Sequence, residues 1–215
     1  DRRECSAMIE VNNVSLILNK YTILDDVSVK AGKGEAVGLI GGNGSGKTML
    51  MKCICGFNTM FTGEITVKGK RIGKDVEFAP DTGFIIETPG FIPYMTGYEN
   101  LKVLAGIKKI IGKKEIREYM KFVGLDPDNK KSVKKYSLGM RQRLGLAQAL
   151  MENPDVLILD EPFNGLDKGM AERMRDVLVD EKRKGKTILL ASHNEHDIDY
   201  ICDRIYEIDG GRIMK

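Results

Sequence analysis

The chain has 215 residues, 42% of them hydrophobic and 30% charged, with 24 glycines and 6 prolines, a balance that excludes wholesale disorder and collagen-like repetition and allows one well-cored domain. No apolar run, including those at 156–159 and 188–191, approaches the roughly 20 residues of a membrane-spanning helix. The net charge of +3 hides an uneven distribution: residues 102–135 carry eleven Lys or Arg against four Asp or Glu, a local excess of seven that leaves the remainder negative.

The opening DRRECSAMIEV is basic but leads into no apolar stretch, so no secretory leader is expected, Met8 is a candidate initiator, and the chain reads as cytosolic. Four cysteines, at 5, 53, 55 and 202, form no spaced metal framework and read as reduced packing thiols. Strands are expected at 9–18, 27–29, 36–40, 65–67 and 83–86, with a helix over 49–55. There Cys53 and Cys55 sit about 200° apart around the axis, unsuited to one metal on one face.

From 88 to 135 the strand pattern stops. Thr96 and Glu99 form a capping box that opens a helix carrying Leu101, Leu104 and Ala105, and a second helix over 113–123 is stopped by Gly124. The basic surplus falls here and reads either as a solvated face or as a surface that meets an acidic partner or anionic headgroups. Strands return at 156–160, 187–192 and 204–208, with a helix over 168–184 closed by Gly185 and a hairpin about Asp209, Gly210 and Gly211. The strand and helix alternation, with strands apolar on both faces, predicts a parallel sheet covered by helices. The expected fold is an α/β single domain over 1–215, with 88–135 a helical subdomain inserted in it.

Three motifs carry chemistry. GGNGSGKT, from Gly41 and Gly42 through Asn43, Gly44, Ser45, Gly46 and Lys47 to Thr48, lies between the strand 36–40 and a helix beginning near Met49, the context a phosphate-binding P-loop requires. Its amides and helix N-terminus would cradle a β-phosphate, Lys47 would bridge β- and γ-phosphates, and the Thr48 hydroxyl would bind Mg²⁺. The buried-type strand VLILDE ends in two acids. Alternation is expected to send Asp160 toward the metal shell and Glu161 toward the attacking water as general base. His193, just past the strand 187–192, stands where it can sense or hold a γ-phosphate, while His196 is expected at the surface.

In these residues the chain resembles the ATP-binding subunit of ABC transporters, a P-loop NTPase whose motifs appear here in the family's order. YSLGMRQR at 136–143 is similar to the family signature, with Ser137 and Gly139 matching its serine and second glycine, and Leu138 and Met140 departing from glycine and glutamine. Asn164, Gly165, Leu166 and Asp167 match the D-loop, and His193 matches the switch histidine. The resemblance implies two copies docked head to tail, so that each ATP with its Mg²⁺ lies between one P-loop and the other copy's Ser137, Gly139 and Asp167. It also implies a separate integral membrane subunit and a place on the cytoplasmic face of the cell membrane. Where the family usually has a glutamine near the metal, this chain has Glu87, which with SLGM is similar to the branch handling lantibiotics, bacitracin and related peptides. The adenine-stacking aromatic is replaced at the usual spacing by Leu18, with Tyr21 three residues on, and either is a candidate for the base contact. The alternative is a soluble ABC ATPase serving ribosomes, DNA ends or iron–sulfur assembly. One cassette without heptads, and no nucleic-acid motif, disfavours it.

Overall fold

The computed structural model describes residues 7–214, so the expectations for Cys5 lie outside the described residues. Strands β1 (Ala7–Leu18) and β2 (Tyr21–Gly32) form an antiparallel hairpin whose two turn residues, Asn19 and Lys20, have positive φ of 50° and 69°, the conformation a two-residue turn between twisted strands demands. β2 is longer than the expected 27–29. Asn13 and Asp26 both take positive φ at irregularities in the pairing, joined by a 2.8 Å bond from Asn13 Nδ2 to Asp26 Oδ1. That irregularity breaks the period-two pattern by which a strand is read from sequence.

β3 (Ala36–Ile40) leads into α1 (Lys47–Cys55). β4 (Thr62–Val67) and β5 (Lys70–Arg71) complete a four-stranded antiparallel sheet in the order β2-β1-β4-β5. The second sheet takes β6 (Thr82–Ile85), β7 (Val156–Asp160), β8 (Thr187–Ala191), β9 (Arg204–Asp209) and β10 (Arg212–Ile213) in the order β10-β9-β3-β8-β7-β6. It is parallel throughout except for the β9–β10 hairpin. This is the α/β architecture expected from the sequence, with the antiparallel segment N-terminal.

The central strands are buried on both faces because each separates two cores. Val156 and Ile158 pack with α1 and the antiparallel sheet, whereas Leu157 and Leu159 face the helical side; in β8, Leu189 and Ala191 divide from Ile188 and Leu190 in the same way. Cys53 and Cys55 are both in the first core, where burial pushes the Cys53 thiol up to about 12 and Cys55 further still.

Between β6 and β7 lie α2 (Gly97–Lys108), α3 (Lys113–Phe122) and α4 (Leu138–Leu150). The Thr96–Glu99 capping box forms as expected, with the Glu99 N–H donating to Thr96 Oγ1 at 3.2 Å and the Thr96 N–H to Glu99 Oε2 at 2.8 Å. α5 (Lys168–Arg183) is followed by Gly185 at φ 94°, and α6 (Glu195–Ile201), which was not anticipated, links β8 to β9.

α4 lies so close on β6 that a Cβ on Gly83 would come 1.9 Å from the Ala149 carbonyl oxygen. Only glycine permits this contact, which seats the C-terminal end of α4 on the start of β6. Replacing Gly83 with alanine should therefore cost about 1–3 kcal/mol, read as a lower midpoint in urea denaturation with an unchanged slope.

Candidate nucleotide-binding site

The C-terminal edge of the parallel sheet opens into a cavity of about 640 Å³, the position where open α/β sheets bind ligands. Asn43, Gly44, Ser45, Gly46, Lys47, Thr48 and Met49 line it, together with Glu87, Asp160 and Glu161. Thus most of the residues singled out in the sequence are brought to one place.

The loop is held from below. Gly41 has φ 144° and passes so near the C-terminal hairpin that a Cβ would lie 2.1 Å from the Ile208 carbonyl oxygen. The Gly211 N–H donates to the Ser45 carbonyl at 3.0 Å, and the Gly211 carbonyl accepts from the Asp25 N–H at 2.9 Å. At the entry to α1, Gly46 takes φ 113° and supplies no side-chain cap. The first-turn amides therefore remain donors toward the cavity. The Lys47 ammonium is buried in the loop and donates to the carbonyls of Gly41 at 2.7 Å and Gly42 at 2.9 Å.

Asp160 is buried, and its Oδ2 accepts from the Thr48 hydroxyl at 2.6 Å. Glu161 diverges from it, but not by strand alternation as expected. The strand ends at Asp160, and Glu161 has φ 49° in the left-handed region; that local twist of the backbone turns its carboxylate away from Asp160. Both Glu161 oxygens meet His193, Oε1 accepting from the His193 N–H at 2.9 Å and Oε2 lying 2.9 Å from Nδ1. His193 thus touches the acid at the site while remaining largely exposed, and His196 is exposed as expected.

Glu87 also has a left-handed backbone, φ 58°, and its carboxylate is 60% exposed, so it is free to reorient about its own bonds. Its partner is Lys52, at 2.7 Å, one helical turn beyond Thr48 on α1. Lys52 lines the same cavity and was missed in the sequence. The i, i+4 spacing from Thr48 was a signal for it. Also missed was Gln142, buried on α4, which donates from Nε2 to the carbonyls of Pro162 at 2.9 Å and Glu161 at 3.2 Å. It fastens the end of β7 to α4.

Leu18 and Tyr21, the candidates for base contact, are a facing pair at the tip of the β1–β2 hairpin and neither lines the cavity. Leu18 leans on the core and Tyr21 is 74% exposed. Ile23, two residues on along β2, does line it.

The signature residues serve structural roles in their own chain. Ser137 caps α4, its hydroxyl accepting from the Met140 N–H at 3.2 Å. Gly139 runs so near the D-loop that a Cβ would lie 2.5 Å from the Gly165 carbonyl oxygen, and Leu138 covers Gly165 from the other side while reaching the cavity. Asp167 caps α5 through the Met170 N–H at 3.0 Å and pairs with Arg143 at 2.7 Å. These partners, the Met170 amide first, hold its carboxyl below the usual range.

Comparison with known proteins agrees with this geometry. Residues 24–164 match the family model described as ABC transporter. The ABC transporter ATP-binding protein YybJ of Bacillus subtilis is 43% identical over 96% of this chain and 94% of its own length. The lantibiotic transport ATP-binding protein SrtF of Streptococcus pyogenes is 35% identical over 96% of this chain and 89% of its own. The bacitracin transport ATP-binding protein BcrA of Enterococcus faecalis is 35% identical over 97% of this chain and 68% of its own. A solved ATP-binding subunit of an ABC transporter superposes with a TM-score of 0.87 at 28% identity, covering 97% of this chain and 88% of that one. With the P-loop, the two acids at the end of β7 and the signature helix all in place, the chain belongs to the ABC transporter family, as an ATP-binding ATPase subunit.

Proposed function

We propose that this subunit hydrolyses MgATP in a composite site shared by two copies and so drives a separate integral membrane subunit from the cytoplasmic face of the membrane. The observation that carries the reading is the meeting of Thr48 and Asp160 at 2.6 Å beside the P-loop lysine and Glu161 in one cavity. A hydroxyl and a carboxylate are hard oxygen donors suited to Mg²⁺. Among the described residues no group of three or more His, Cys, Asp and Glu is placed to hold a metal unaided, which fits an ion that takes one or two protein oxygens and completes its shell from phosphates and water. When bound, Mg²⁺ would neutralise charge on the transferred phosphoryl group.

The chain's own residues divide the remaining work. Lys47 and the amides of 42–48 bind and orient the phosphates. Glu161 accepts the proton of the attacking water, and His193, already against both of its oxygens, holds it in place and would contact the γ-phosphate. Ser137 and the Gly139 amide, at the positive end of α4, are suited to the γ-phosphate bound by a second copy. Asp167 would meet that copy across the interface. Closure and reopening of the pair would be passed to the membrane subunit through Glu87 and the helical segment 88–135.

For the cargo, Glu87, the SLGM signature and the likeness to BcrA and SrtF support export of, or immunity to, peptide antibiotics and related compounds. Nucleic acid is not proposed as a partner.

Two outcomes test the scheme. Glu161→Gln removes the base while keeping the side chain's shape, so turnover should fall about 10²–10⁴-fold and light scattering with MgATP should show a stable dimer; a variant that stays monomeric sinks the shared site. Glu87→Gln removes one negative charge near the metal and should raise the Mg²⁺ concentration for half-maximal nucleotide binding several-fold. An unchanged Mg²⁺ titration would remove Glu87 from the metal site.

A further inference from the structure

Residues 106–114, GIKKIIGKK, take in the end of α2, the connection 109–112 and the start of α3. The flanking helices are anchored by Leu101 and Ala105 on one side and Ile116 and Met120 on the other, all buried. The segment where they meet is not. Ile107 is 74% exposed and Ile110 60%, large aliphatic side chains that the core does not use. The chain is turned outward by Lys109, whose left-handed backbone closes α2 with φ 58°.

Lysines 108, 109, 113 and 114 surround these tips, all exposed. Lys108 pairs with Glu152 at 3.0 Å, and Lys114 lies 3.9 Å from Glu118. Among the described residues Lys109 and Lys113 have neither an ion pair nor a side-chain hydrogen bond. Glu152 and Glu118 are taken up by Lys108 and Lys114, and Glu115 is turned back to accept from the Gly112 N–H at 2.9 Å, where backbone amides hold its carboxyl below the usual range. The segment therefore presents uncompensated positive charge around two protruding apolar groups.

We propose that the 106–114 segment, at the junction of α2 and α3, seats on an anionic phospholipid surface, Ile107 and Ile110 entering the acyl boundary while Lys109 and Lys113 meet headgroup phosphates. Aliphatic tips ringed by lysine are the pattern by which interfacial segments lie on anionic bilayers. A nine-residue segment offers far less than the roughly 800 Å² per partner of a stable protein interface, whereas a bilayer imposes no such minimum. Such a contact would hold the helical segment at the membrane independently of nucleotide.

The test is sedimentation of the full chain with vesicles of phosphatidylcholine alone or mixed with phosphatidylglycerol, at physiological ionic strength. The mixed vesicles should retain the chain and the neutral ones should not. Lys109→Gln with Lys113→Gln should weaken retention about 30-fold, at about fivefold per lysine. Ile107→Ser with Ile110→Ser should weaken it at least about tenfold at constant charge. The matched control, Lys130→Gln with Lys131→Gln, removes the same charge outside the segment and should stay within about twofold. Equal losses in the control and segment pairs, or full retention of the serine pair, would overturn the proposal. So would absence of retention on any vesicle, the result that an acidic protein partner predicts.

Discussion

The site depends on the backbone of the P-loop being held in a shape that only glycine allows. Gly41 passes against the Ile208 carbonyl with no room for a side chain, and Gly46 turns at φ 113° into α1 without a capping side chain. The cost of this conformation is met by bonds from distant chain, since Gly211 of the C-terminal hairpin holds both the Ser45 carbonyl and the Asp25 amide. The antiparallel sheet, the P-loop and the last hairpin are thereby one mechanical unit, and the lysine and hydroxyl that follow are aimed by it.

Around that frame the local problem is like charge. Asp160, Glu161 and Glu87 line one cavity, and like charges so placed repel one another unless each has a partner. Each does: the Thr48 hydroxyl for Asp160, the amide and imidazole of His193 for Glu161, and the Lys52 ammonium for Glu87. The last pair is surface-exposed and weak, of order 1 kcal/mol or less, so Glu87 can exchange partners at little cost. Asp160 is buried and positioned once.

A second, buried network steadies the far side. Arg175 of α5 donates from Nε to Asp197 at 2.6 Å, Asp197 accepts from the Ser192 hydroxyl at 2.8 Å, and the Arg175 guanidinium lies 5.4 Å from the centre of the Phe163 ring. Ser192 precedes His193 and Phe163 follows Glu161 by two residues. One nearly dry ion pair therefore braces both strand ends that carry the acid and the histidine. Breaking such a pair leaves a buried charge and commonly costs 3–5 kcal/mol.

Local signals in the sequence were enough to locate the P-loop, the acids at 160 and 161, the Thr96 capping box and the parallel core, because each rests on contiguous residues: a glycine spacing, an apolar run, an i, i+3 cap. Missed were β2 before its irregularity at Asp26, where positive φ breaks the alternation, and the short helix α6, which is too brief to show a period. Lys52 and Gln142 were missed because their importance lies in what they touch, Glu87 and the carbonyls of Glu161 and Pro162, far away along the chain. The sequence by itself determined which chemistry is available, since residue type sets charge, acidity and backbone freedom. Only the tertiary structure decided which groups share a cavity, how Glu161 turns from Asp160, and that Ile23 rather than Leu18 or Tyr21 lines that cavity. Those outcomes depend on backbone dihedrals and on packing between elements distant in sequence, and no local pattern of residues encodes either.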